Sequence, residues 1–434
     1  MKQLKPPYPT IQALMRPQKA DPSSSYRKTT NLLEVPCEKG VLWYQTLTGE
    51  LILIEDGETW GDHEEELVKA WFLVPESYDE LKTTREIQEV MRLTQPSDGT
   101  RTNFTILTTT DCNARCFYCY EMGRKRVPME EKTAHDVAAY IRRVSCGKEV
   151  KLHWFGGEPL FCRQAIEIIT EDLKNAGVSF RSTMTSNGYL FDEETVRKAK
   201  EEWNLSRVQI TLDGTKEVYN RTKAYIYKDP DAYERVLNNI EQLSDSGITV
   251  SIRLNMNEKN AENLLELAKE LGKRFSGRKN IHAYVAMIFT YTDGIRSFAG
   301  EASSRAYAIA VRERLSRYGL LKAGRLPDRI RLNHCMADDD QAVVIMTDGS
   351  LGKCEHYSDS EMFGSIYSDE YDDNQIQKWK ERAKPIEACR KCSYAPRCFI
   401  LRNCESGIAG CSDLDREMKI EDLSSSVLRF YSEL

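Results

Sequence analysis

Residues 104–119 read FTILTTTDCNARCFYC, and this stretch is the most informative about the fold. Its first part, 104–108, is a short apolar run that predicts a buried β-strand. The loop after it carries Cys112, Cys116 and Cys119. Three thiolates spaced in this way can wrap one face of a cubane iron–sulfur cluster and leave one iron without a protein ligand. The stretch therefore predicts an open metal centre at a strand end, with a zinc site or three buried cysteines as the alternatives.

The sequence around this stretch alternates short apolar runs with amphipathic segments. The runs that predict strands are 104–108, 151–155, 180–185, 207–212, 250–255 and 282–287. The segments that predict helices are 130–145, 164–176, 193–203, 231–246, 260–274 and 302–318. This alternation is typical of βαβ units and a parallel sheet. Because six repeats fall short of eight, we expect an α/β fold with an open, partial barrel and a site at the C-terminal strand ends.

Composition excludes several classes of protein. The chain has 434 residues, of which 41% are hydrophobic and 29% charged, so it is not wholly disordered. A net charge of −6 gives no sign of a strongly basic nucleic-acid binder. No apolar run approaches the ~18 residues of a membrane helix, and prolines interrupt the first residues where a signal peptide would need an apolar core. We therefore expect a cytoplasmic protein with neither nucleic acid nor membrane as a partner.

The 13 cysteines are the unusual feature of the composition. In a reducing compartment, cysteines bind metals or take part in redox chemistry more often than they form disulfides. Ten of them fall in two regions, 112–119 and 335–411. The other three, Cys37, Cys146 and Cys162, are isolated and are expected to be buried small hydrophobes.

The first cysteine motif resembles that of the radical S-adenosylmethionine (radical SAM) superfamily. The shared features are the C-x3-C-x2-C spacing and the aromatic Tyr118 before the last cysteine. The resemblance implies a (β/α)6 partial barrel of the TIM type and a 4Fe–4S cluster held by the three cysteines. It also implies that SAM binds the open iron and is cleaved reductively to a 5′-deoxyadenosyl radical, which abstracts hydrogen.

Further segments resemble the SAM-binding positions of that superfamily. Gly156, Gly157 and Glu158 look like its GGE motif, which contacts the methionine amino group. Ser186 and Asn187 resemble its polar turn near the ribose. The positions that resemble contacts to the SAM carboxylate and ribose are Asp213, Arg221, Arg253 and Asn255. The alternative for the glycine motif and for the Ser-Asn-Gly segment is a plain turn after a strand.

The C-terminal region resembles the SPASM domain, which carries two auxiliary 4Fe–4S clusters. By this resemblance, auxiliary cluster I is held by Cys335, Cys354 and Cys404, and auxiliary cluster II by Cys389, Cys392, Cys398 and Cys411. The family usually has three residues between the third and fourth cysteines of this block, whereas five residues precede Cys404 here, so Cys404 is the ligand that departs from the family pattern. Three thiolates would leave cluster I with an open iron unless a distant side chain completes it. The alternative is a zinc ribbon.

Glu355 directly follows Cys354 and is the candidate catalytic base. In the related anaerobic sulfatase maturases an acidic residue at the matching position serves as the base, and a carboxylate there could accept a substrate proton. The alternative is a solvated charge. His334 and His356 also flank cluster cysteines and are expected to be hydrogen-bond partners or surface residues, not ligands.

We expect three domains: residues 1–100, 101–325 and 326–434. The first would hold a loosely docked arm over 1–29, a hairpin within 31–56, a short helix from residue 62 and a helix over 79–94. It resembles the winged-helix leader-recognition element of ribosomal peptide maturases, which binds an extended leader at a sheet edge. The alternative is a cap on the open barrel.

The leading functional hypothesis is a maturase that installs a thioether or carbon–carbon cross-link in a ribosomally made precursor peptide. Its expected cofactors are three 4Fe–4S clusters and SAM. Its expected partners are a precursor peptide with a leader sequence and an electron donor such as flavodoxin or ferredoxin. The alternatives are formylglycine formation on a protein Cys or Ser, and a zinc-stabilised scaffold without catalysis.

Overall fold

The structure, a computed structural model, describes residues 1–21, 23–94, 99–288, 290–292, 295–297, 301–321, 324–330, 332–333, 335–356, 361–402, 411 and 413–434. The chain divides into two compact units. The first unit contains residues 1–96, 323–334 and 381–434, and the second contains 97–322 and 335–380. Both units are discontinuous in sequence. The division into three consecutive domains, 1–100, 101–325 and 326–434, stays a prediction.

The N-terminal part of the first unit is a small α+β arrangement. Its strands are β1 Lys2–Lys5, β2 Tyr26–Lys28, β3 Leu32–Cys37, β4 Gly40–Gln45, β5 Leu51–Glu55 and β6 Leu73–Pro75. Its helices are α1 Pro9–Leu14, α2 Glu64–Lys69 and α3 Glu80–Leu93, with a 3-10 turn at Trp60–His63. Four strands form an antiparallel sheet in the order β1-β5-β4-β3, and β2 pairs with β6. The predicted hairpin and both predicted helices are present.

The expectation of a loosely docked N-terminal arm is wrong for its first segment. β1 pairs antiparallel with β5, and the Tyr8 hydroxyl lies 2.8 Å from that of Tyr44. Tyr8 is 1% exposed and packs directly over Gly49, where an added Cβ would lie 2.2 Å from its ring. The Pro- and Lys-rich composition suggested a loose arm because a few buried side chains, which anchor it, do not change the overall composition.

The second unit is built on the predicted parallel strands. They are β7 Asn103–Thr109, β8 Val150–Gly156, β9 Phe180–Ser186, β10 Leu205–Leu212, β11 Thr249–Met256 and β12 Ile281–Met287. They lie in one nine-stranded sheet in the order β12-β11-β10-β9-β8-β7-β15-β16-β17. The added strands are β15 Ala342–Ile345, β16 Ser350–Gly352 and β17 Gly364–Ser365, and β15 runs parallel to β7. A further pair, β13 Thr290–Thr292 and β14 Ile295–Ser297, stands apart. The predicted α/β partial barrel is confirmed.

Helices connect the strands and bury one face of the sheet. They are α4 Glu131–Ser145, α5 Arg163–Asn175, α6 Glu193–Glu201, α7 Lys216–Lys223, α8 Ala232–Asp245, α9 Ala261–Phe275, α10 Glu301–Arg317 and α11 Asp373–Lys378, with a 3-10 turn at Pro159–Cys162. Alternate strand side chains such as Trp154, Ile210 and Ile252 are fully buried in the main core. The α7 helix was not predicted because it is only eight residues long.

The C-terminal segment, residues 381–434, also belongs to the first unit. It contains two 3-10 turns, Glu387–Lys391 and Ala395–Arg397, and helix α12 Asp413–Ser432. Leu423 and Val427 of α12 pack against Leu33 and Val35 of β3. Within the described residues, every helix is either too short or too polar to cross a bilayer.

Candidate active site and cysteine centres

The three-cysteine motif lies in the loop between β7 and α4. Two N–H donors reach the sulfur of Cys112: the Ala114 amide at 3.3 Å and the Asn187 side-chain amide at 3.7 Å. Burial, together with the neighbouring Glu158, Cys116 and Cys119, raises the pKa of Cys112 to about 12. Burial also raises the pKa of the Cys116 and Cys119 thiols. A bound metal would deprotonate such thiols, and the N–H donors suit the resulting thiolate.

The glycine turn after β8 supports this loop through its backbone. Gly156 has φ +116°, and a Cβ there would lie 2.1 Å from the Thr109 carbonyl oxygen. A Cβ at Gly157 would lie 2.2 Å from the Asp111 carbonyl oxygen. The Gly157 and Glu158 amides instead donate to those two oxygens, each at 2.9 Å. Glycine is needed here because the turn and the cysteine loop touch backbone to backbone.

Glu158 is completely buried and joins the ends of two strands. Its carboxylate accepts hydrogen bonds from the Ser186 hydroxyl at 2.8 Å and from the Asn187 amide at 2.7 Å. Burial raises the pKa of Glu158 to about 7. The structure thus brings together three residues predicted to bind SAM, and their contact with that cofactor stays a prediction.

Tyr118 belongs to a buried polar network beside the cysteines. Its hydroxyl donates to Asp213 at 2.7 Å and accepts from Lys223 and Asn255, each at 3.0 Å. The Lys223 ammonium also lies 3.0 Å from the second Asp213 oxygen, and both side chains are at most 2% exposed. Three of these residues were predicted. Lys223 was missed, because nothing in a Lys near a helix C-terminus indicates that it is buried.

Lys223 connects α7 to the cysteine loop. Burial lowers its pKa, but Asp213, Tyr118 and Cys116 together outweigh that effect and hold the pKa well above the ordinary value. The Lys223 carbonyl accepts from the Arg115 amide at 2.8 Å, and the Ile226 amide donates to the Asn113 carbonyl at 2.9 Å. The segment that follows α7 therefore holds the loop by its backbone as well as by an ion pair.

A cavity of about 440 Å³ opens at the C-terminal ends of β10, β11 and β12. Its lining includes Phe117 of the cysteine loop, Asp213, Arg221 and residues 257–260. Asp213 and Arg221 were predicted, whereas 257–260 were not. Arg253 is not among the lining residues; it lies further back on β11 and donates from Nε to the Asn255 side-chain oxygen at 2.9 Å. The cavity lies where cofactors bind on sheets of this type.

A second cysteine centre lies in the first unit. Four of the cysteines predicted for auxiliary cluster II line one cavity: Cys389, Cys392, Cys398 and Cys411. Three cations, Arg85, Arg416 and Lys419, line the same cavity. The Arg416 guanidinium donates to the Cys411 carbonyl at 2.9 Å. Positive charge around four sulfurs fits an anionic thiolate-bound cluster.

In the part of the chain that the structure describes, no three His, Cys, Asp or Glu side chains converge as ligands of one metal ion. Cysteines of a cubane bind different irons, so they need not converge on one point. The three cysteines of the β7–α4 loop and the four that line the second cavity are donor sets of the kind that hold iron–sulfur clusters.

Cys335 and Cys354 flank the β15–β16 hairpin of the second unit. The Ala337 amide donates to the Cys335 sulfur at 3.3 Å, which repeats the arrangement at Cys112. The next residue, Met336, accepts from the Thr105 hydroxyl at 3.4 Å. Cys404 and His334 lie outside the described residues.

Glu355 and His356 lie against the cysteine loop. The His356 ring packs 4.1 Å from that of Tyr120, and Arg124 donates to the His356 carbonyl at 2.8 Å. The Glu355 carboxylate lies 3.8 Å from His356 Nε2 and is partly exposed. The structure thus brings the predicted base close to the loop that carries the first cysteine motif.

Residues 106–271 match the family model of the radical SAM superfamily. The chain carries a radical SAM domain. A probable GTP 3′,8-cyclase of Archaeoglobus fulgidus is 30% identical over 178 residues, which are 40% of this chain and 56% of that protein. The sporulation killing factor maturation protein SkfB of Bacillus subtilis is 22% identical over 166 residues, 38% of each chain. The chain spans about half the length of the curated relatives it matches.

Two solved structures share the fold over most of the chain. The sulfatase maturase anSMEcpe with bound AdoMet and a Cp18Cys peptide superposes with a TM-score of 0.57 at 16% identity, covering 76% of this chain and 98% of that one. Streptococcus suis SuiB bound to its precursor peptide SuiA superposes with a TM-score of 0.54 at 13% identity, covering 90% and 100%. At these identities the likeness shows the fold.

Proposed function

We propose that this protein is a radical SAM enzyme that modifies a ribosomally made peptide, removing hydrogen and installing a thioether or carbon–carbon cross-link. The observation that carries the proposal is the 440 Å³ cavity beside the three-cysteine loop, at the C-terminal ends of the strands. Two structural neighbours are peptide complexes, and SkfB is named as a maturation protein. These likenesses support a peptide as the substrate.

The protein's own groups would bind, orient and shield the cofactors. Cys112, Cys116 and Cys119 would hold the 4Fe–4S cluster, and the cavity with Asp213 and Arg221 would hold SAM. When bound, this pair supplies the 5′-deoxyadenosyl radical that abstracts hydrogen. The Tyr118–Lys223 network would fix the loop under the cofactor, since positioning removes much of the entropic cost of reaction.

Two auxiliary clusters complete the proposed cofactor set. Their ligands would be Cys389, Cys392, Cys398 and Cys411 for cluster II, and Cys335, Cys354 and Cys404 for cluster I. Glu355 would accept a substrate proton next to cluster I. Residues 1–100 would bind the leader, and a flavodoxin or ferredoxin would deliver electrons.

Iron analysis and SAM cleavage test the cofactor part of the proposal. Anaerobically reconstituted protein should hold close to twelve irons, from three clusters of about four each. Replacing Cys112, Cys116 and Cys119 with Ala should remove about a third of this iron and abolish 5′-deoxyadenosine formation with dithionite. The matched control replaces the isolated Cys37, Cys146 and Cys162, and should change neither. A triple variant of the motif that still cleaves SAM would contradict the assignment.

Mass spectrometry of co-expressed small peptides tests the substrate. A cross-link should appear as the loss of two hydrogens, with fragment ions missing between the joined residues. A product that reacts with a hydrazide would indicate formylglycine formation, the activity expected from the sulfatase-maturase likeness. Conversion of GTP in place of any peptide would contradict the proposal.

A further inference from the structure

On β8 to β11, the face of the barrel sheet that points away from the helices is mainly polar, and its apolar part lies around Phe155 and Leu107 on the β7 side. On β8 to β11 the alternate residues Leu152, Met184, Val208 and Ile252 are buried in the core under the helices. The positions between them are only partly buried, and they include His153, Thr183, Thr185, Gln209, Thr211 and Ser251. Closed barrels fill this face mainly with branched apolar side chains. Here the inner face is open to a polar ligand.

The charged side chains at the strand positions of this inner face are all cations. Its strand positions carry Lys151, Arg181, Arg207 and Arg253, while no inward position of β7 to β12 is Asp or Glu. Arg181 pairs with Glu149 at 3.4 Å. Across the described ranges, no carboxylate lies within ion-pair distance of the other three cations. Unpaired cations on a concave face attract anions.

The strand register places these cations in a spaced row. Lys151 lies opposite Arg181, Arg207 opposite Thr183, and Arg253 opposite Thr211. With strands ~4.8 Å apart and ~3.3 Å per residue, successive unpaired cations are roughly 12 to 14 Å apart. An extended chain along the row would therefore meet a cation about every four residues.

One end of the row reaches the candidate active site. Arg253 donates to Asn255 at 2.9 Å, and Asn255 donates to the Tyr118 hydroxyl at 3.0 Å. Tyr118 stands between two cysteines of the motif. A peptide lying on the inner face would thus lead towards the place where the radical would form.

We propose that this inner face binds an acidic segment of the substrate peptide, with Lys151 and Arg207 pairing with its carboxylates. The inference rests on the proposed peptide-modifying function and adds the charge class of the substrate. Between the cations, Gln209 uses its side-chain oxygen to accept from the Tyr284 hydroxyl at 2.6 Å, so its amide N–H groups are the ones that would donate to the peptide backbone. The selection is by charge and spacing, so it tolerates different sequences with carboxylates four residues apart.

Binding of synthetic peptides to the full reconstituted chain tests the proposal. The probes are three fluorescent 12-residue peptides that differ only in carrying Asp, Asn or Lys at every fourth position. Anisotropy should show the tightest binding for the Asp peptide, with an affinity that falls as salt rises. The double variant K151Q/R207Q should weaken that binding roughly three- to tenfold, as expected for two partly exposed ion pairs. Binding of the Asn peptide should not change.

The control is Lys200→Gln on α6, which removes an exposed lysine from the helical side. It should leave binding of the Asp peptide unchanged. Equal affinity for all three peptides, or no effect of K151Q/R207Q, would overturn the proposal. Displacement of the Asp peptide by GTP, with GTP binding lost in K151Q/R207Q, would also overturn it in favour of a phosphate site. Dithionite-driven SAM cleavage by the wild-type chain, followed in parallel, reports separately on the proposed function.

Discussion

The buried ion pair of Lys223 and Asp213 is the residue-scale feature on which the first cysteine loop depends. Each side chain is at most 2% exposed, and their charged atoms lie 3.0 Å apart. Such a pair contributes little net stability, but removing one partner leaves an uncompensated buried charge. The ion pair positions Tyr118, which hydrogen-bonds to both of its members. It also makes the site sensitive to the substitution of either member.

We expect Lys223→Met to destabilise the protein by about 3–5 kcal/mol, because Asp213 would then be buried without a counter-charge. The double variant K223M/D213N should recover part of this loss, since both charges are gone. Denaturant unfolding of the wild type, both single variants and the double variant measures the coupling. If K223M unfolds at the wild-type midpoint, the ion pair does not hold the loop.

At the scale of elements, the turn after β8 and the cysteine loop after β7 form one backbone-to-backbone contact. Gly156→Ala would place a Cβ 2.1 Å from the Thr109 carbonyl oxygen, so one of the two segments must move. We expect the variant to lose the iron held by Cys112, Cys116 and Cys119, about a third of the total. Iron analysis and 5′-deoxyadenosine formation measure the effect.

Gly177→Ala is the matched control for this contact. Gly177 also has a positive φ, +71°, but an added Cβ there meets nothing within 4 Å. It should cost about 1 kcal/mol of stability through backbone strain and leave the iron content unchanged. Equal iron loss in both variants would show that backbone strain, and not the close contact, disturbs the loop.

At the scale of the whole molecule, the N-terminal segment and the C-terminal cysteines belong to one compact unit. Helix α3 supplies Leu81 and Arg85 to the four-cysteine cavity. Gln88 donates to the Pro396 carbonyl at 2.8 Å, and Thr46 to the Ser393 carbonyl at 2.6 Å. Residues far apart in sequence thus share one cavity wall.

Deleting residues 1–95 should therefore remove the iron of the four-cysteine cavity, about four of twelve irons, in addition to any effect on peptide binding. The comparison is Cys389→Ser in the full chain, which should lose the same iron while keeping the N-terminal segment. Peptide affinity that falls in the truncated chain but not in C389S would assign leader binding to residues 1–95. A truncated chain that keeps all of its iron would contradict the shared cavity.

The amino-acid sequence was sufficient to predict the six parallel strands, most of the helices between them and the cysteine motif. These are local: a strand or a long amphipathic helix shows its period within a few residues, and the C-x3-C-x2-C ligands come from one loop. The grouping of Cys389, Cys392 and Cys398 with Cys411 was also predictable, because the resemblance supplied the pattern of ligands.

Features that depend on contacts between distant segments could be seen only in the folded chain. It buried Lys223 against Asp213, joined β15 to β7, anchored Tyr8 over Gly49 and lined the cysteine cavity with Arg85. None of these residues carries a local signal, because burial and pairing arise when separate elements pack together. The cationic inner face is a further example. The alternation of side chains along each strand is visible in the sequence, but only the register of the strands brings Lys151, Arg207 and Arg253 into one row.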